Sequence, residues 1–367
     1  MHIYDHLSTI ERWKNCPMAN YVCPVARYTK LETHTPRGKA LILSLIADGI
    51  RKIDEDFIDR IYQCDLCRAC EAIRRDDTSI PDLILAARRD IVDKNICPNY
   101  IVNLRNEVLV KSRLLNENWV NETINKVKSS SKKLILITYE SIYAKQSYSA
   151  LMSILSIAGI EVMKVNLGKF PAPASILNEL GYYKDANVAL DNIRRLINAD
   201  RTKKLIFLVP YDLDLLLKMS IDTDLTLFES NVQHGFEFLA EIIESSNLNI
   251  SRNLKEPAMY FDFCSPRHLD KFYEIPRQVL KSIPNLEIKE MAWNKRESGS
   301  CGGLALPYTF PNISKGIATM VVDEASKSGA KILITPCAHC VENLASVQNS
   351  KDGLKIVDLW ELIVSAV

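Results

Sequence analysis

The chain has 367 residues, 47% hydrophobic and 25% charged, which is enough for two or three domains that each bury an ordinary core. Its formal net charge of +1 argues against a nucleic-acid footprint. It holds no run of about 18 apolar residues, and the opening "MHIYDHLSTIERWKNCPM" lacks the apolar centre of a signal peptide, so a cytoplasmic protein is expected.

Residues 1–125 read as helices and loops. In "THTPRGKALILSLIADGI", Thr35 is placed to cap a helix, Pro36 to open it, and Leu41, Leu45 and Ile46 to form its apolar face. In "SIPDLILAARRDIVDKN", Pro81 opens a second helix whose stripe is Leu83, Ala86, Ala87 and Ile91. The polar stretch "KVKSSSKK", 126–133, reads as a linker. Beyond it, apolar runs alternate with helical stretches: "KLILITY", "IEVMKVN", "KLIFLVPY", "AMYFDFC", "LEIKEMAW" and "AKILITPC". That alternation predicts an α/β layered architecture. "KLIFLVPYDLD" and "KILITPCAHC" align with Pro210 on Pro336, an offset at which Thr138, Tyr211 and Asp214 stand opposite Cys264, Cys337 and Cys340. An internal repeat whose first copy has lost its thiols is therefore expected. Any two strand–proline turns would also look alike.

Ten cysteines need a reason in a reducing compartment, where disulfides are rare. Six lie between Cys16 and Cys97 and four between Cys264 and Cys340, which points to two metal sites. Ferredoxin loops run C-x2-C-x2-C-x3-C-P, and in two-cluster proteins the fourth cysteine of each run ligates the other cluster. Counted back from Cys23-Pro24, a full run falls on Trp13, Cys16, Ala19 and Cys23; counted forward from Cys64, it falls on Cys64, Cys67, Cys70 and Arg74. One crossed set is complete: Cys64, Cys67 and Cys70 with Cys23. The other, Trp13, Cys16, Ala19 and Arg74, keeps one thiol and is expected to hold no cluster. The pattern predicts one [4Fe–4S] cluster, with zinc as the competing occupant, though zinc more often takes two separated pairs. Cys16 reads as a leftover thiol or variant ligand and Cys97 as structural. Trp13 and Arg74 are expected to fill the vacated space, and Arg74 and Arg75 either offset the cluster's charge or are simply solvated.

Cys264, Cys301, Cys337 and Cys340 follow apolar runs, and sites in open α/β sheets gather at the carboxyl ends of strands. Gly302 and Gly303 would let the backbone pass close to an inorganic core. His339 reads as a surface-loop residue, a ligand or a proton donor.

The spacing C-x35-SC-x35-C-x2-C from Cys264 resembles the CCG domain of heterodisulfide reductase subunits, and "YEIPRQVLKSIPNLEIKEM" is similar to that family's linking segment. "CPVARYTKLETHTPRGKALIL" and "CDLCRACEAIRRDDTSIPDLILAARRDIV" are similar to the ferredoxin-type domain of fused members. Those include the heterodisulfide reductase D subunit, the glycolate oxidase iron–sulfur subunit and the anaerobic glycerol-3-phosphate dehydrogenase C subunit. "NVQHGFEFLAEII" fits their segment before the last CCG motif. The resemblance implies an α+β multidomain fold. A helical ferredoxin-like domain (1–125) would precede two α/β CCG-type repeats, a cysteine-free one (134–250) and one with metal-binding cysteines (251–367).

It also implies an iron–sulfur electron-transfer subunit serving a flavoprotein dehydrogenase and a quinone or other acceptor. Any peripheral membrane association at the inner face would come through such partners. The alternatives are a heterodisulfide reductase-like thiol–disulfide reductase subunit and a docking subunit with structural metal sites. Cys23, Cys64, Cys67 and Cys70 would hold the [4Fe–4S] cluster. Cys264, Cys301, Cys337 and Cys340 would hold a second iron–sulfur cluster or zinc, or stand empty. The chain departs from the family in its emptied second ferredoxin site and its cysteine-free first repeat. Ser300 also stands where an adjacent cysteine is usual, and it could ligate only through oxygen.

Overall fold

A hydroxyl followed by a proline starts the helix at Pro36: in this computed structural model the Thr35 Oγ1 accepts the Gly38 amide at 2.9 Å, satisfying a donor that the first helical turn leaves unpaired. The structure describes residues 1–74, 76–139, 144–170, 172–209, 211–219, 231–245, 248–263, 271–348 and 353–367.

The first part is helical: α1 (Leu7–Lys14), α2 (Pro24–Thr29), α3 (Pro36–Ala47), α4 (Glu55–Tyr62), α5 (Ala69–Ile73), α6 (Ile80–Asp93), α7 (Asn99–Lys111) and α8 (Glu117–Ser129). In α6 the Ser79 Oγ accepts the Asp82 amide at 3.1 Å, Pro81 takes the second position, and Leu83, Ala86, Ala87 and Ile91 are all buried as the stripe requires. In α3 the expected face is wrong. Leu41 is exposed and Leu45 half-buried, while Lys39, Ala40, Leu43 and Ile46 point inward. The leucines alone suggest one face, but the core side of the helix holds a lysine. The stretch expected to be a linker is helical as far as Ser129, with Val127 buried, because one face of α8 packs against a later helix.

The rest is α/β. In chain order come β1 (Leu134–Thr138), α9 (Ala144–Ile157), β2 (Val162–Asn166), α10 (Pro173–Glu179), α11 (Tyr183–Ile197), β3 (Lys204–Phe207), α12 (Tyr211–Met219), β4 (Val232–His234) and α13 (Gly235–Glu244). Then follow β5 (Ala258–Tyr260), α14 (Lys271–Lys281), β6 (Ile288–Glu290), α15 (Leu306–Thr309), α16 (Pro311–Lys327), β7 (Ile332–Thr335), α17 (Ala338–Ala345), β8 (Lys355–Asp358) and α18 (Leu359–Ala366). Among the described residues these strands form two four-stranded parallel sheets, ordered β2-β1-β3-β4 and β6-β5-β7-β8. The inner strands β1, β3, β5 and β7 are apolar and buried along nearly their whole length, as parallel strands covered on both faces must be. Pro210 lies outside the described residues.

The carboxyl ends of the two sheets face one another. Thr138 and Val209 from the first, and Pro336 and Asp358 from the second, line one narrow cavity between them. Helix α18, which follows β8, packs on α9 of the first α/β unit.

Candidate metal centres

The segment "CDLC" leaves α4 and must turn sharply to place three thiols on one side. It does so through two non-glycine residues in the left-handed region, Leu66 (φ 54°) and Arg68 (φ 61°), and through the Cys67 amide, which donates to Asp65 Oδ1 at 3.3 Å. Strain of that kind persists only where neighbours enforce it. Here α6 supplies the enforcement. Arg68 donates to Glu71 at 2.9 Å and to Asp82 at 3.0 Å, fixing one end of the loop. Buried Arg88 donates to the carbonyls of Ile61 (3.0 Å), Tyr62 (3.2 Å) and Cys64, fixing the other, and also reaches the Glu179 carbonyl of α10 at 2.6 Å.

Cys23 arrives from a different element. It is the residue before α2, with Pro24 at the first helical position, and its Sγ donates to the His34 carbonyl at 3.4 Å. His34 also ties this loop to the residue before Cys64, its Nε2 lying 2.5 Å from Gln63 Oε1. Burial first, and then the Lys39 charge, hold the imidazole down at about 4, so it is neutral near pH 7. Cys23, Cys64, Cys67 and Cys70 are each 8% exposed, and Cys23 and Cys70 lie close enough to Cys64, and to each other, for their charges to interact. Burial, ahead of those charges, pushes the Cys23 and Cys70 thiols up. A bound metal would reverse that, because it takes the thiolate outright. Among the described residues no three His, Cys, Asp or Glu side chains converge as the ligands of a single ion. A four-iron cube does not require that, because its thiolates end on separate irons. The donor set, four buried thiols from two loops, fits such a cluster.

The residues of the other crossed set also meet. The Arg74 guanidinium lies 5.4 Å from the Trp13 ring, donates to the Arg12 carbonyl at 2.9 Å and hydrogen-bonds the half-buried Cys16. Trp13 is fully buried and donates to Thr78 Oγ1 at 2.8 Å, with Ala19 buried as well. Trp13 and Cys16 thus both meet the Arg74 side chain.

In the second sheet, Cys337 precedes α17 and Cys340 lies in its first turn. Cys301 follows Ser300 in the loop before α15. All three thiols are 0% exposed, and Cys340 hydrogen-bonds both Cys301 and Cys337. Those bonds keep the proton on Cys340 and lower Cys337. Cys264 and Arg75 lie outside the described residues. Ser300 Oγ accepts the amides of Gly302 at 3.0 Å and Gly303 at 2.9 Å, so its lone pairs already hold the glycine turn. His339 is not a surface residue: it is 2% exposed, and its Nε2 lies 3.1 Å from the Gly303 carbonyl. Tyr211, from the first α/β unit, hydrogen-bonds Cys337 and packs edge-on against His339.

The two cysteine loops touch. Gly303 (φ 85°) leaves room where a Cβ would stand 3.2 Å from Asp65 Cβ, next to Cys64. Glu179 lies at the same junction and accepts the Ala305 amide at 3.1 Å.

The sequence profile of the CCG cysteine-rich domain matches residues 258–345. The chain is 31% identical over 139 residues to the D subunit of the dihydromethanophenazine:CoB–CoM heterodisulfide reductase of Methanosarcina mazei, covering 37% of this chain and 34% of that one. It is 27% identical over 145 residues to the probable iron–sulfur-binding oxidoreductase FadF of Bacillus subtilis, covering 38% and 20%. A 64-residue stretch is 38% identical to the probable glycolate oxidase iron–sulfur subunit of Bacillus subtilis, covering 17% and 14%.

Residues 258–345 thus carry a CCG cysteine-rich domain, and the chain is similar to iron–sulfur oxidoreductases that contain it.

The matched stretches span about a third or less of those relatives' own lengths. The CCG match encloses Cys301, Cys337 and Cys340 with the Gly302–Gly303 turn. Arg88, His34 and Lys39 are not legible as site residues in the sequence. The first looks like an ordinary helical arginine, and nothing in spacing alone brings the other two to the thiols. Among the described residues no helix is long and apolar enough to cross a membrane, while one relative, at 25% identity over 139 residues, is described as a probable membrane-anchored ferredoxin.

Proposed function

We propose that this chain is an electron-relay subunit of a redox complex. Cys23, Cys64, Cys67 and Cys70 would hold a [4Fe–4S] cluster, and Cys264, Cys301, Cys337 and Cys340 a second iron–sulfur centre. The observation that carries the reading is the paired outcome at the two crossed positions. Cys23 lies with the later thiols, while Trp13, Cys16 and Arg74 pack together where the second set would converge. A bound cluster supplies one-electron transfer. The chain's own residues do the rest. Arg68 and Arg88 fix the loop, burial excludes water from the thiols, and the Asp65–Gly303 contact brings the two loops within one residue's width.

The likeness to iron–sulfur subunits of oxidoreductases supports redox partners. In this reading they are a flavoprotein dehydrogenase upstream and a quinone or other acceptor downstream, with membrane contact only through them. A thiol–disulfide reductase is the second reading, because three thiols lie in hydrogen-bond contact. Their complete burial and the engagement of Ser300 make it the weaker one. The test is iron, sulfide and zinc content with electron paramagnetic resonance on anaerobically purified protein. Iron and sulfide with a reducible cubane signal are expected; zinc alone would overturn the relay.

A further inference from the structure

We propose that the Lys39 ammonium is the buried counter-charge of the N-terminal centre and raises its reduction potential. This rests on the reading that Cys23, Cys64, Cys67 and Cys70 hold an iron–sulfur cluster.

The lysine is placed by its helix. Thr35 caps α3, and Gly38 seats the first turn against the Glu32–His34 turn, where a Cβ would overlap the Glu32 carbonyl oxygen. The next residue must then point inward, and Lys39 is 2% exposed, one of the largest fully buried side chains in the molecule. Burying an ammonium is costly unless negative charge lies beside it. The acidic groups its charge faces are Cys64, Cys23, Asp65 and Cys70. Three of the four are expected ligands. Asp65, the one carboxylate among them, already accepts the Cys67 amide at 3.3 Å. Neutral thiols would leave the ammonium poorly balanced, whereas a thiolate-bound cluster carries the missing negative charge.

Reduction adds one electron to the cluster and makes or breaks no bond. The added negative charge falls in the field of a cation in low-dielectric surroundings, where attraction is strong. The reduced state is favoured, and net local charge is one of the levers that set such potentials.

The experiment compares the anaerobically purified full chain with Lys39→Met, which keeps the stem and removes the charge, and Lys39→Arg, which keeps the charge. The readouts are iron and sulfide content and the midpoint potential, followed by electron paramagnetic resonance. Lys39→Met should retain the cluster with its reduction equilibrium weakened about tenfold, ~59 mV lower for a one-electron couple. Lys39→Arg should stay close to wild type. A Lys39→Met protein that loses its cluster while Lys39→Arg keeps it also supports the counter-charge. A cluster at wild-type potential in Lys39→Met, or cluster loss in both variants, overturns the proposal. Wild-type protein without iron and sulfide overturns the underlying reading and the proposal with it.

Discussion

Asp212 is fully buried in α12, held by the Ser175 amide at 2.8 Å and the Tyr139 hydroxyl at 3.2 Å. Burial outweighs both bonds and pushes its carboxyl up to about 6. The unfolded chain releases that proton near pH 4, so between those values the folded state binds more protons and loses stability as pH rises. Asp212→Asn removes the slope. Urea titrations at pH 4 and pH 7 should show the variant gaining about 1–3 kcal/mol on wild type over that range. Parallel pH profiles would contradict the assignment. Ser300 makes a second prediction. Its hydroxyl is the acceptor for two buried amides, so Ser300→Ala should destabilise by about 1–3 kcal/mol in the same assay. A neutral result would mean those amides find other partners.

At the scale of elements, what was legible followed from local rules. The cap at Thr35 and the stripe of α6 came from spacing, and six of the eight described strands came from apolar runs. The others, β4 and β8, are three and four residues long and gain their place only by pairing with β3 and β7. In both sheets the last paired residue of that strand, His234 or Asp358, also precedes the next helix. The two sheets share this feature as well as their strand order. The exposed Leu41 and buried Lys39 of α3 could not be read from hydropathy, because the face of that helix is chosen by charge as well as by apolar contact. Gly38 makes the point testable. Gly38→Ala places a methyl on the Glu32 carbonyl, and thermal unfolding should show a loss of about 1–3 kcal/mol. No loss would mean that α3 can shift on its seat.

Across the whole molecule, the cysteine spacing announced two sites, and the structure adds that their loops adjoin. Arg88 joins the Cys64 loop to α10, Glu179 of α10 joins the Ala305 amide, and Gly303 rests on Asp65. No single segment carries that junction, so no reading of one segment could find it. The central claim is the crossed set of ligands in the first part of the chain. Iron and sulfide content with electron paramagnetic resonance, compared for Cys23→Ala and Cys16→Ala, tests it directly. Loss of the N-terminal cubane signal in the first variant and its retention in the second is the predicted result. An unchanged signal in Cys23→Ala, or loss in Cys16→Ala alone, would contradict it.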